Sequence, residues 1–89
     1  MAWNVELSEP ADRELGKLHA QDRKRILRFL DERLSRTENP RSLGQALHGS
    51  RLGEFWRYRV GDYRLISKIE DDRLVVLVLR VGHRKEIYR

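Results

Sequence analysis

Apolar and polar residues alternate at the start of the chain, with Trp3, Val5 and Leu7 set against Asn4 and Glu6. A period of two predicts a first strand over residues 3–7. Ser8 then offers a side-chain oxygen to the free N–H groups of a helix start, with Glu9, Pro10 and Asp12 in the first turn, where carboxylates and proline are both favoured. Ala11, Leu15 and Leu18 fall on one helical stripe, so a short helix is expected to about residue 18. His19-Ala20-Gln21 interrupts it. His19, at that helix end, reads as a favourable partner for the helix dipole. Ile26, Leu27, Leu30 and Leu34 predict a longer second helix over residues 21–36, whose other face (Arg23, Lys24, Arg28, Asp31, Glu32, Arg33) reads as an ordinary solvated surface.

Residues 37–53 carry Asn39-Pro40, Gly44, Gly49 and Gly53 and read as a loop crossing from helices to sheet. Three strands are expected after it, over residues 55–60, 63–70 and 73–81. Gly61-Asp62 suits a two-residue type II′ hairpin, and Asp71-Asp72 suits a second tight turn. The unbroken apolar run Leu74-Val75-Val76-Leu77-Val78-Leu79 predicts a strand covered on both faces. The fold class expected is α+β: an N-terminal strand, a helical hairpin, then a three-stranded antiparallel meander, forming one sheet with the helices on one face.

A two-residue loop at Gly61-Asp62 sets a register. Val60 faces Tyr63, Arg59 faces Arg64, Tyr58 faces Leu65 and Arg57 faces Ile66. One side of the sheet then carries Trp56, Tyr58, Val60, Tyr63, Leu65 and Ile69, the side for the helices to cover. The other carries Phe55, Arg57, Arg59, Arg64, Ile66 and Lys68, with Val75, Leu77 and Leu79 as an apolar floor. Arg59 opposite Arg64 is a like-charge pair, costly unless an anion lies between them. Arginines over an aliphatic floor with an aromatic at the edge suit a phosphate backbone with stacked bases.

Length and charge narrow the field. At 89 residues and 10.7 kDa, residues 1–89 are expected to form a single small domain with a thin core. The absence of cysteine excludes disulfides and thiolate-ligated metals. No apolar stretch approaches a membrane span and the start carries no secretory pattern, so a soluble, cytoplasmic protein is expected. The formal net charge is +5, and residues 51–89 hold ten Lys and Arg against six Asp and Glu, so most of the excess lies there. Most of the cations are arginine, suited to planar recognition of phosphate, and a polyanionic partner is implied. Glu70-Asp71-Asp72 sits in a turn with no carboxylate or histidine group at ligand spacing, so no metal site is expected.

Two stretches carry a resemblance. The hairpin Trp56-Arg57-Tyr58-Arg59-Val60-Gly61-Asp62-Tyr63-Arg64-Leu65-Ile66 and the ending Val81-Gly82-His83-Arg84-Lys85-Glu86-Ile87-Tyr88 resemble the RelE/ParE superfamily of bacterial and archaeal toxins. The resemblance spans essentially the whole chain, and those two segments are its specific parts. It implies a RelE-like fold and the toxin half of a type II toxin–antitoxin pair, in a hetero-oligomer with a cognate antitoxin. RelE-type members cut messenger RNA on the ribosome without metal or cofactor, which implies the ribosome and mRNA as partners, no membrane, and growth arrest through blocked translation.

By the same resemblance Arg64 matches the arginine that follows the hairpin tyrosine. Arg84 matches the arginine of the closing motif, and Tyr88 its aromatic end. Arg57 and Arg59 stand where the family places basic residues, often lysine. Arginine stays charged, so these two read as substrate-binding groups rather than proton carriers. The general base is Tyr88 or His83, whose ordinary imidazole pKa of about 6.5 suits the task. His48, in Leu47-His48-Gly49, is a candidate RNA contact. Two other functions fit the pattern: a ParE-like inhibitor of DNA gyrase, and a non-catalytic degenerate toxin or RNA-binding module.

Overall fold

The computed structural model describes residues 3–47 and 55–87. Strand β1 (Asn4–Leu7) is followed by helices α1 (Glu9–Gly16) and α2 (Ala20–Arg28), then by strands β2 (Gln45–Ala46), β3 (Phe55–Val60), β4 (Tyr63–Glu70) and β5 (Val75–His83). The strands form one sheet in the order β1-β5-β4-β3-β2. β1 runs parallel to β5, and every other pairing is antiparallel.

Ser8 is the joint between β1 and α1. Its hydroxyl accepts from the Ala11 N–H at 3.2 Å and donates to the Leu79 carbonyl at 3.0 Å, so the helix cap is also a tie to β5. The stripe Ala11, Leu15, Ile26, Leu30 and Leu34 packs on Tyr58, Val60, Leu65, Val76, Val78 and Val81. Tyr58 is fully buried, and its hydroxyl donates to the Pro40 carbonyl at 2.9 Å. Burial raises its phenol pKa well above the ordinary value. Ser67 is also fully buried, and its hydroxyl has no hydrogen-bond partner among the described residues.

Several expectations need correction. The first helix ends at Gly16, although Leu18 still packs against the core. The second is α-helical only to Arg28 and continues as a π-helical turn, Phe29–Leu34, in which the Ser35 N–H reaches back five residues to Leu30 at 3.0 Å. That widening keeps Leu30 and Leu34 over the sheet, whereas Leu27, expected on the apolar stripe, is turned out and 43% exposed. The expected loop contains a 3₁₀ turn, Pro40–Leu43, and the short edge strand β2, paired Gln45 to Arg57 and Ala46 to Trp56.

The turn after β4 takes four residues, 71–74, rather than Asp71-Asp72 alone, and β5 starts two residues later than expected. Leu74 has a left-handed φ of 53°, a strained setting for leucine that lets its side chain pack against the core. The last correction is a β-bulge. Lys68 faces Leu77, but Ile66 faces Arg80, so Leu79 is an extra residue on β5. Val75 and Leu77 keep the expected face and Leu79 loses its place on it. Beyond the bulge Val81 turns into the core, and Gly82 takes the position opposite Arg64.

Candidate nucleic-acid interface

The β3–β4 hairpin places the arginines. Gly61 has φ +60°, and Leu74 alone among the described non-glycine residues has a positive φ, so Asp62 has none and the turn is type II′. The register is the expected one throughout: Val60 to Tyr63, Arg59 to Arg64, Tyr58 to Leu65 and Arg57 to Ile66. Because directly paired residues share a face, Arg57, Arg59 and Arg64 stand together on the side away from the core.

The three differ in what holds them. Arg64 is only 8% exposed; its Nη1 donates to the Gly61 and Tyr63 carbonyls, both at 3.0 Å. Those carbonyl dipoles draw the guanidinium toward the turn and relieve its repulsion with Arg59. Arg57 donates through Nη2 to the Gln45 Oε1 on β2, and its Nε is buried without a partner among the described residues. Arg59 is exposed and makes no ion pair among the described residues.

The end of the chain reaches the same turn. The Arg84 N–H donates to the Asp62 carbonyl at 2.8 Å, and its Nε lies 3.7 Å from Asp62 Oδ1. Both side chains are more than half exposed, so the ion pair holds little energy and the backbone hydrogen bond does the anchoring. A Cβ at Gly82 would lie 2.8 Å from Ile87 Cδ1, so the bare glycine opposite Arg64 is what lets the buried Ile87 fold back onto the sheet.

His83 is not brought to the arginine face. It pairs with Tyr63, so both project toward the helix side, and the two rings meet edge-on with centroids 5.7 Å apart. Its Nδ1 accepts the Lys85 N–H at 3.2 Å, so the neutral ring carries its proton on Nε2. The Tyr63 hydroxyl donates to Asp22 Oδ2 at 3.2 Å; partial burial and that bond raise its pKa, so it stays protonated. His48 and Tyr88 lie outside the described residues. Among the described residues no group of three or more His, Asp or Glu side chains is placed to hold a metal ion.

Three arginines elsewhere are matched to carboxylates. Arg41 forms a two-point pair with Asp71 at 2.8 Å, Arg80 binds Glu14 at 2.9 Å, and Arg73 lies between Glu6 and Glu70. Sequence reasoning missed three contributors to the face: Gln45, which holds Arg57; Asp62, which holds Arg84; and Arg25 of α2, which packs against Gly61. Arg25 is not among the residues assigned to the solvated face of the second helix, and nothing local marks it as a neighbour of the hairpin.

The sequence matches, over residues 5–88, the family described as the ParE toxin of type II toxin–antitoxin system, parDE. It is 36% identical over 89 residues to the toxin RelG of Mycobacterium tuberculosis, covering 100% of this chain and 99% of that protein. It is similar to a chain of the toxin–antitoxin complex RelBE2 from the same organism, with TM-score 0.85 and 32% identity over 94% of this chain and 100% of that one. A chain of the archaeal RelE–RelB complex from Pyrococcus horikoshii matches with TM-score 0.75 and 27% identity over 97% of this chain and 99% of that one.

Proposed function

This chain belongs to the ParE toxin family of type II toxin–antitoxin systems, and we propose that it acts there as a metal-independent, ribosome-dependent mRNA endonuclease that blocks translation. Residues 1–89 act as one domain in the cytoplasm; no described helix is long and apolar enough to cross a membrane. A cognate antitoxin holds the toxin inactive, in keeping with the toxin–antitoxin complexes among its structural relatives. The single observation carrying the reading is the clustering of arginines at one end of the sheet: Arg57, Arg59 and Arg64 share a face and Arg84 is fastened to its rim through Asp62.

Cleavage without metal needs three services. A base removes the 2′-hydroxyl proton, cations stabilise the dianionic phosphorane formed as the 2′-oxygen attacks phosphorus, and an acid protonates the departing 5′-oxygen. The products are a 2′,3′-cyclic phosphate and a free 5′-hydroxyl. Arg64 and Arg84 supply charge at the phosphorus. Arg57 and Arg59 hold the flanking backbone. None of the four can give up its proton near neutrality, so the proton transfers fall to other groups. His83 is poorly placed as the base: it lies on the helix side beside Tyr63, and its Nδ1 is engaged by the Lys85 N–H. Tyr88 is therefore assigned to stack on the scissile nucleotide and accept the proton, and His48 to contact the RNA.

Cell-free translation followed by primer extension on the message tests this. Codon-phased cuts that disappear in Arg84→Ala are the expected result. Intact message with blocked DNA supercoiling would favour the gyrase-directed reading, and neither effect would favour a non-catalytic binding module.

A further inference from the structure

We propose that the cleft between α2 and the β3–β4 turn is a second phosphate-binding surface, which carries the RNA backbone from the sheet face onto the helix. This rests on the nucleic-acid reading above and extends it to residues outside the hairpin. The cleft encloses about 340 Å³ and is lined by Arg25, Arg28, Arg33 and Arg59, with Glu32 as its one carboxylate. All four arginines are exposed and none makes an ion pair among the described residues, in contrast to the matched Arg41, Arg73 and Arg80. Four guanidinium groups around one carboxylate form a focused positive field, which draws in a polyanion.

The site is built rather than accidental. Arg25 Nη1 lies 2.7 Å from the point a Cβ would occupy at Gly61, so its guanidinium rests on bare backbone at the turn. Any side chain at that position would push it away. Arg59 belongs to both surfaces, facing Arg64 on the sheet and lining the cleft. Among the described residues β2 pairs with β3 only at Trp56 and Arg57 and Gly44 packs against Tyr58, so no strand pairs with the sheet edge at residues 59–60, where the backbone can pass around it.

The lining favours RNA over an acidic protein segment. Its apolar content is Phe29 and Val60, and Val60 is itself buried in the core. Protein partners draw their affinity from buried aromatic and aliphatic anchors, which are lacking here, whereas a phosphate backbone needs only positioned charge.

The test is binding of the purified full chain to a single-stranded 2′-O-methyl RNA, which cannot be cleaved, followed by fluorescence anisotropy over a range of salt concentrations. Each phosphate contact to a single strand adds about 0.7 to the slope of log affinity against log salt, so replacing Arg25, Arg28 and Arg33 together by Gln should lower the slope by about 2. Glu32→Gln should tighten binding, an arm that holds if the triple variant fails to fold. Unchanged slope and affinity in both variants, or no binding by the wild type, overturns the proposal. So does a triple variant that keeps its RNA slope but loses binding to an acidic polyglutamate peptide. Codon-phased cleavage, scored separately, reports on the endonuclease reading: its absence alongside the expected slope change sinks that reading and leaves this one standing.

Discussion

Two arginines directly opposite each other on adjacent strands play different parts. Arg64 is nearly buried and satisfies two turn carbonyls, while Arg59 is exposed and makes no ion pair among the described residues. Arg64→Ala therefore removes hydrogen bonds that hold the hairpin end as well as the charge proposed to act at the reacting phosphate. We expect it to cost about 1–2 kcal/mol of stability and to abolish cleavage. Arg59→Ala should leave stability within about 0.5 kcal/mol and weaken RNA binding instead. Chemical denaturation beside the translation assay separates the two, and equal stability losses would refute the distinction. The alternation of residues 55–68 made the shared face of these arginines legible, because a two-residue turn leaves one register. Their partners were not legible: Gln45 and Asp62 reach Arg57 and Arg84 only once β2 and the chain end have docked.

At the scale of elements, the bulge on β5 shapes the site. Without it Val81 would stand opposite Arg64; with it, Gly82 stands there and Ile87 folds down over the space left. Gly82→Ala puts a methyl group 2.8 Å from Ile87 Cδ1 and 3.4 Å from its Cβ, so the Ile87 side chain has to shift beside the turn that carries Arg84. The expected loss is about 1–2 kcal/mol in stability, as for other overpacked sites. On the proposed mechanism cleavage should fall roughly tenfold or more, because small displacements of a group that stabilises charge are costly. Wild-type cleavage in a variant that still melts earlier would mean that the position of Arg84 does not depend on this contact. The strands, the type II′ turn and the capped first helix could all be read locally, from period, glycine and Ser8. The bulge, the π-helical turn and β2 could not, since each is an adjustment of one element to the packing of another.

In the whole molecule, long-range ties join the helices to the sheet. Glu14 of α1 accepts from the Arg80 guanidinium and from the Val81 N–H at 3.0 Å. Partial burial opposes its ionisation, yet the hydrogen bonds and the charge of Arg80 outweigh it and hold its pKa below the ordinary 4.5. A carboxylate with a depressed folded pKa adds stability that is fully present above that ordinary value and is lost as pH falls through the folded one. Glu14→Gln should thus be less stable than wild type at neutral pH, with the difference shrinking below about pH 4.5; thermal melts across that range would show it, and parallel curves would rule it out. By itself the sequence determined which side of β1, β3 and β4 a residue occupies, where the first helix begins and where the first hairpin turns, because period and turn chemistry act over a few neighbouring bonds. Only the tertiary structure decided that β1 lies parallel to β5, that Leu79 drops out of register, and that Arg25 of α2 stands beside Arg59 of β3. Those outcomes depend on which distant surfaces bury each other, and no local stretch of residues carries that information.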